Sequence, residues 1–311
     1  MIIKDSLKEN IQTIKTALTI IIVNWNNKKI LQDCLESIYN AQVNYSYEII
    51  VVDNCSEDGS VALIKNDFHD IILIENNKNF GFAKANNQAI KIAKTDYILL
   101  LNNDTIMTQN DCFGNMVRFM QENPRVGVLG CKLLFPDGTL QSLGEKFPSA
   151  WEVFKNQILF FKTWKRFRKN KEKNNVFKRV DYVSGACLLM KREVFRKVGM
   201  LKEDYFMYGE DAEFCYRVHN AGWEIGVLTN ESIIHLHSKS TEKTLTDSLY
   251  HSINNDLKNI KMIHNDEWQV ILAKAFLLIG VLIRAVLAIF RKDRKVSDYL
   301  KLFKKILING E

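Results

Sequence analysis

The stretch Tyr47-Glu48-Ile49-Ile50-Val51-Val52-Asp53-Asn54-Cys55-Ser56-Glu57-Asp58-Gly59-Ser60 passes from an apolar, β-branched run into a polar, glycine-containing turn. Val61-Ala62-Leu63-Ile64 then opens a helix, so the unit reads strand, turn, helix. The same unit precedes it. Ala17 to Val23 is almost continuously apolar and stops at Asn24-Trp25-Asn26-Asn27, and Leu31, Cys34, Leu35 and Ile38 follow at helical spacing. It also recurs downstream, with a strand over Asp70 to Ile74, a helix over Gly81 to Ala93 and a fourth strand over Tyr97 to Leu101. Strands that are apolar throughout and alternate with helices specify an α/β fold whose parallel, Rossmann-like sheet is covered on both faces. Ligands bind such sheets beyond the carboxyl ends of the strands. Asn24, Asp53, Asn76 and Asp104 all fall there.

Further on, Val126 to Leu134 is regular again, and a looser stretch holds Pro136, Gly138, Gly144 and Pro148. Regularity returns over Val180 to Met190; Glu210 to Ala221 reads as a helix, Trp223 to Leu228 and Ser232 to Leu236 as two short strands, and the chain beyond Thr241 as helical. The organisation expected is a catalytic domain over 1–240, carrying a basic aromatic insertion at 150–180, and a helical, basic amphipathic region over 241–311.

A chain of 311 residues with 47% hydrophobic content buries a full core and is not disordered. The six cysteines form no C-x-x-C pair, which excludes a zinc knuckle or a disulfide framework and suits a reducing, cytoplasmic compartment. The first ten residues mix Lys4, Asp5, Lys8 and Glu9 with no apolar core, against a signal peptide. Positive charge is concentrated. Lys162 to Val180 holds nine Lys/Arg against one acid, and Val270 to Glu311 nine against three, leaving the rest of the chain net acidic. Trp151, Phe154, Phe160, Phe161, Trp164 and Phe167 interleave with the first patch, a mixture that suits a membrane interface rather than nucleic acid; a solvated basic loop is the plainer alternative.

Several residues are equipped for chemistry. Asp53 either caps the helix after it or accepts the ring N–H of a pyrimidine. Asn79 is placed to cap the helix at Gly81, whereas Asn86 and Asn87 lie inside that helix, where asparagine is a poor former, so contact with a ligand accounts for them better than core hydrogen bonding. Asn102-Asn103-Asp104 follows an apolar run directly; Asp104 offers a hard cation a carboxylate, Asn102 only a neutral oxygen, and a simple turn is the competing account. Glu210, Asp211 and Glu213 crowd the start of a helix, where the dipole favours acids but mutual repulsion raises one toward a useful base. His235 and His237 share one face of a strand end, and His235 is placed to complete a metal site with Asp104.

Taken in order, Val23-Asn24-Trp25-Asn26, Val51 to Ser60, Asn79-Phe80-Gly81-Phe82-Ala83 with Asn86-Asn87, Asn102-Asn103-Asp104, Ser184-Gly185-Ala186, Phe206-Met207-Tyr208-Gly209-Glu210-Asp211 and His235 resemble the inverting family-2 glycosyltransferases of the GT-A fold. The likeness runs from Leu18 to Ser240 and is nearest the rhamnosyltransferase-like branch. It implies a nucleotide-diphospho-sugar transferase: Asn24 and Asp53 hold the nucleotide, with Asn54, Asn79, Gly81, Asn86, Asn102 and Asn103 around the donor, and Ser184 and Gly185 line the sugar pocket. It further implies that Asp104 and His235 bind Mg²⁺ or Mn²⁺ on the diphosphate, that Asp211 deprotonates the acceptor hydroxyl, and that Glu210 helps to bind or orient the acceptor. Many relatives carry an acid where this chain has Asn102, so a weakly bound or dispensable cation is expected. By resemblance the first donor is dTDP-rhamnose and the second a UDP-hexose, transferred to a hydroxyl of a glycan or lipid-linked acceptor in cell-surface polysaccharide synthesis.

The tail fits that setting. Val270 to Phe290 has fourteen Val, Ile, Leu and Phe residues, worth roughly 6 kcal/mol on insertion against about 3 for a central charge, and Lys274 and Arg284 interrupt it. A helix lying on the inner face of the cell membrane is favoured over a span, with a packed core or a homodimer helix as the alternative. Among rival functions, a dehydrogenase lacks its G-x-G-x-x-G, and a sugar nucleotidyltransferase needs a glycine-rich phosphate loop where Asn24-Trp25-Asn26-Asn27 stands. A noncatalytic scaffold of a polysaccharide assembly complex is the rival from another class.

Overall fold

The computed structural model describes residues 18–41, 45–108, 111–159, 175–236, 245–289 and 296–308. Four parallel strands form the first half of a ten-stranded sheet: β1 (Leu18–Asn24), β2 (Tyr47–Asp53), β3 (Ile72–Glu75) and β4 (Tyr97–Asn102) lie in the order β3-β2-β1-β4. β1 shows why. Leu18, Ile20 and Ile22 point to one face and Ile21 to the other, and all four are buried, so both faces need a helical cover. On one face α1 (Lys28–Asn40) supplies Leu31, Cys34, Leu35 and Ile38, and α4 (Cys112–Glu122) supplies Phe113 and Met116. On the other, α3 (Phe82–Ile92), α6 (Arg192–Val198) and α7 (Glu210–Asn220) supply Ala83, Ala89, Val194 and Phe214. α2 (Ser60–Asp67) adds Ile64 to the first face, and α5 (Ala150–Gln157) comes between α4 and α6 in the chain.

The second half of the sheet is mixed. β9 (Cys187–Lys191) runs antiparallel between β4 and β6 (Val126–Leu134), β10 (Glu224–His235) is parallel to β6, and β5 (Thr105–Met107) closes the edge antiparallel to β10. β7 (Leu140–Ser142) pairs with β6 and β8 (Phe177–Arg179) with β10.

Three expectations change. The third strand begins at Ile72, because Asp70 belongs to the turn in which Ile71 N–H bonds Phe68 O. The two short strands before His235 are one strand bent by a register shift between Leu228 and Ser232, which hydrophobic pattern alone reads as a break. Of the insertion at 150–180, residues 150–157 form α5, which packs into the tail, and residues 177–179 are sheet; residues 160–174 lie outside the described residues. The tail is helical as expected: its described residues form α8 (Leu245–His264), α9 (Glu267–Ile289) and α10 (Val296–Ile308), with a core of their own around Ile253, Ile260, Leu277, Val281, Leu302 and Ile306 that takes in Ala150 and Val153 of α5.

Candidate active site

The strand ends predicted to hold a ligand are tied to one another by amides. Asn24, at the end of β1, donates from Nδ2 to Asp53 Oδ2 (3.1 Å) and Ser56 Oγ (3.3 Å) and accepts from Asn103 Nδ2 (2.7 Å). Both its amide hydrogens and its oxygen are used inside the fold, and the residue is wholly buried. Asp53 accepts from Ser56 N (2.7 Å), Ser56 Oγ (2.7 Å) and Asn24, leaving about one of a carboxylate's four lone-pair positions. It closes its own turn and does not cap α2, whose first position is preceded by Gly59 with no side-chain cap. Asn54 donates to Gly81 O (3.2 Å) and accepts from Asn76 Nδ2 (2.9 Å), joining β2 to the loop before α3. Asn24, Asp53, Asn54 and Asn103 are thus tied into the chain itself, and Ser56, which spacing did not single out, is the shared partner of Asn24 and Asp53.

Three expectations around α3 are corrected. Asn79 is not a helix cap: its Oδ1 accepts from Gly81 N (2.8 Å) in a turn ahead of the helix, and Gly81 precedes α3 with φ +80° and ψ −178°. Asn86 spends its amide on Phe82 O (2.9 Å) one turn back and is buried. Asn87 clamps a distant segment, donating to Leu201 O (2.8 Å) and Glu203 Oε1 (3.1 Å) and accepting from Leu201 N (3.2 Å). Hydrogen bonds inside the fold thus give the unfavourable asparagines of this helix a structural role.

Asp104 sits in the turn between β4 and β5, and the β5–β10 pairing sets Thr105 opposite His235, which brings the two side chains together. His235 Nε2 lies 3.2 Å from Asp104 Oδ1 and 3.4 Å from Asn102 Nδ2. Gln141 holds the ring from its other side: its Nε2 donates to His235 O (3.4 Å) and its Oε1 lies 2.7 Å from His235 Nδ1. His237 lies outside the described residues, and among the described residues no group of three His, Cys, Asp or Glu is arranged to hold a metal.

Across the sheet, Tyr208 (φ +68°) and Gly209 (φ +85°) form a left-handed turn that delivers Glu210 and Asp211 to the start of α7. The expected cluster of three acids is really two. Glu213 is fully buried and paired with Arg217 Nη2 (2.7 Å) and Lys202 Nζ (3.0 Å). Asp211 accepts from Gly185 N (3.1 Å) and Ala212 N (2.8 Å). Burial raises the Asp211 carboxyl above its usual range, those backbone donors offset only part of that rise, and the charge of Glu145 adds a smaller upward push. Burial, reinforced by the Asp211 charge, pushes Glu210 up to about 8, and its buried Oε2 has no hydrogen-bond partner among the described residues.

Ser184-Gly185-Ala186 lies between the two halves. Ser184 Oγ accepts from Ala186 N (3.3 Å), Gly185 N holds Asp211, and Ala186 O accepts from Asn102 N (3.1 Å), two residues before Asp104. A Cβ on Gly185 would stand 3.2 Å from the Phe82 ring, so glycine lets the loop lie against α3. Gly81 is under tighter constraint, because Phe82 N bonds Phe206 O (2.8 Å) in the loop leading to Glu210. The second strand-end acid, the histidine and the acidic pair are thus wired together by backbone, the arrangement of a group-transfer enzyme on an α/β sheet.

Solved structures share this architecture. Mannosyltransferase PcManGT from Pyrobaculum calidifontis, solved with GDP-Man and Mn²⁺, superposes with a TM-score of 0.58 over 93% of this chain and 84% of its own, at 15% identity. GalNAc-T7, solved with UDP, GalNAc and Mn²⁺, gives 0.58 over 79% and 48% at 16% identity. The fold is GT-A. Residues 19–199 match the glycosyl transferase family 2 profile, and the chain belongs to that family. It is a glycosyltransferase. Among relatives, the low-salt glycan biosynthesis hexosyltransferase Agl10 of Haloferax volcanii is 26% identical over 243 residues, 77% of this chain and 73% of that protein. An N-acetylglucosaminyl-diphospho-decaprenol L-rhamnosyltransferase of Mycobacterium tuberculosis is 25% identical over 208 residues, 62% and 67% of the two chains. Other relatives are much longer: the chain spans 17% of the Myxococcus xanthus O-antigen biosynthesis protein RfbC, at 27% identity.

Proposed function

We propose that this glycosyltransferase moves a sugar with inversion from a nucleotide-diphosphate donor to a hydroxyl of a glycan or lipid-linked acceptor at the inner membrane surface. The observation that carries the mechanism is the grip of Gly185 N–H on Asp211. Two backbone donors stabilise the ionised form of Asp211 while its neighbour Glu210, raised by burial, holds its proton at neutral pH. Asp211 is accordingly the base that takes the acceptor proton, and Glu210 the donor that orients the acceptor oxygen. The hydroxyl then attacks the anomeric carbon from the face opposite the diphosphate, the C–O bond to that diphosphate breaks, and the centre inverts.

Asp104 and His235 are the residues that would hold a divalent cation. Their closeness supports that reading: His235 Nε2 and Asp104 Oδ1, an imidazole nitrogen and a carboxylate oxygen of the kinds divalent cations take, stand 3.2 Å apart. When bound, the ion neutralises charge on the departing diphosphate. With Asn102 in place of an acid the chain contributes one carboxylate, which favours weak binding. Asp53 keeps one acceptor position for a pyrimidine N–H. The relatives' names, an L-rhamnosyltransferase and a hexosyltransferase, support a rhamnosyl donor first and a hexosyl donor second.

Among the described residues one helix, α9, is long and apolar enough to cross a membrane. Its burial pattern favours a surface position instead. Trp268, Ile271, Leu272, Ile279, Leu282 and Val286 are exposed along one stripe, about 100° wide at 100° per residue, while Ala273, Leu277 and Val281 opposite are buried in the tail core. Release of nucleoside diphosphate from dTDP-rhamnose, UDP-glucose and related donors, with and without Mn²⁺ or Mg²⁺, tests the assignment. Metal-stimulated release from one donor with an acceptor lipid extract is expected; no release from any donor under those conditions would overturn it.

A further inference from the structure

We propose that Asn255 and Asn259 of α8, in the tail, are positioning residues of the active site: they hold the left-handed turn Tyr208-Gly209 that aims Glu210 and Asp211. The proposal rests on the assignment of that acidic pair as the reacting carboxylates.

Two consecutive residues with positive φ are costly, and one of them is a tyrosine, so the turn persists only where its surroundings impose it. The carbonyls of Met207 and Tyr208 lie ahead of the helix and outside its hydrogen-bond ladder, whereas Gly209 O already accepts from Glu213 N (3.0 Å). α8 meets all three. Asn255 Nδ2 donates to Met207 O (2.9 Å) and Tyr208 O (2.8 Å), and Asn259 Nδ2 donates to Gly209 O (2.9 Å). Asn259 Oδ1 accepts from Tyr205 Oη (2.6 Å), so one amide grips the loop at both ends. Their spacing of four residues sets the two side chains on one helical face, one turn apart.

The fit is close. A Cβ on Gly209 would stand 3.0 Å from Asn259 Nδ2 and 3.1 Å from Asn255 Cβ. Asn259 is completely buried, and an amide buried there must have these partners or lose stability. Around it Lys258 pairs with Asp204 (2.5 Å) and lies 4.1 Å over the Tyr205 ring, and Tyr216 Oη, from α7, donates to Ile263 O (3.2 Å). The helical tail is thereby part of the catalytic architecture: the turn leading to Asp211 is braced from α8, and Asp211 itself from the loop 184–186.

The two ends of the Asn259 amide can be separated. Asn259→Asp keeps an acceptor for Tyr205 and replaces the donor to Gly209 O with a second oxygen; Tyr205→Phe removes the hydroxyl and leaves the donor in place. The full chain is assayed with the donor that supports nucleotide release in the wild type. N259D is expected to lower kcat 10- to 100-fold, the scale of a roughly 1 Å misplacement, with donor KM within two-fold of wild type, while Y205F keeps kcat within three-fold. Amide hydrogen exchange over residues 205–213 provides a readout independent of turnover. It is expected to accelerate at least ten-fold in N259D and in Asn255→Ala, with exchange in β1 and β4 unchanged. Unchanged exchange over 205–213 in both variants would overturn the proposal whatever the kinetics. So would a kcat loss in N259D matched by equal loss in Y205F and by faster exchange throughout the sheet. Failure of the acidic-pair assignment shows itself separately, as full turnover by Asp211→Asn with the exchange effects intact.

Discussion

Gly81→Ala tests how tightly the loop before α3 is coupled to the acidic turn. A Cβ at Gly81 overlaps the Phe206 carbonyl oxygen and stands 2.8 Å from Phe206 Cδ2 and 3.1 Å from its carbonyl carbon. Ordinary carbon contacts lie at about 3.5–4.0 Å, so the Phe206 backbone must retreat by roughly 1 Å. Alanine at φ +80°, ψ −178° also occupies a region open essentially to glycine alone, at about 1–3 kcal/mol. Losing the bond from Phe82 N to Phe206 O adds about 1 kcal/mol. Together these predict a loss of roughly 2–4 kcal/mol in urea unfolding, and a kcat decrease of 10- to 100-fold because Phe206 leads directly into Glu210. Gly138→Ala is the control: its φ is +76° but a Cβ there meets nothing within 4 Å, so it should cost about 1 kcal/mol and leave kcat alone. If G81A unfolds within about 0.5 kcal/mol of wild type with normal kcat, the coupling through Phe206 is wrong.

Glu213→Gln removes the charge that Arg217 and Lys202 surround, and should cost about 3 kcal/mol or more by thermal or urea unfolding; a change near zero would make that pairing incidental. Glu210 is raised on folding, so its contribution to stability is complete below its usual 4.5 and is lost as pH rises toward about 8. Glu210→Gln should therefore flatten the Tm-against-pH profile across that window, and an unchanged slope would contradict the burial argument. Ile279→Glu with Val286→Glu places charge on the exposed stripe of α9; the wild type should pellet with phospholipid vesicles and the double variant remain in solution. Equal pelleting would remove α9 from the membrane.

The half of the fold built from local units was legible because β1, β2 and β4 are apolar on both faces and each stops at a polar turn. β10 was misread as two strands because a bulge interrupts hydrophobic alternation while hydrogen bonding to β6 continues on both sides of it. The site shows the same division. The proximity of Asp104 and His235 follows from the β5–β10 pairing, and the motif order hinted at it. The true role of Asn87 was hidden because its partner Leu201 is 114 residues away, and propensity reports only that an asparagine is out of place, not what satisfies it. Glu213 looked like a third active carboxylate because sequence places it one turn from Glu210 but is silent on Lys202 reaching in from the preceding loop. Asn255 and Asn259 carry no motif, and in an amphipathic helix two asparagines four apart read as a polar face.

The central claim is that Asp211 is the base, and Asp211→Asn measured for transfer and for nucleotide binding in parallel tests it most directly. Asparagine keeps the size of the side chain and an oxygen for Gly185 N, so fold and nucleoside diphosphate affinity should match the wild type while transfer falls by at least about 10²-fold, the lower end for losing a general base. Transfer at the wild-type rate by a folded, nucleotide-binding D211N would contradict the account.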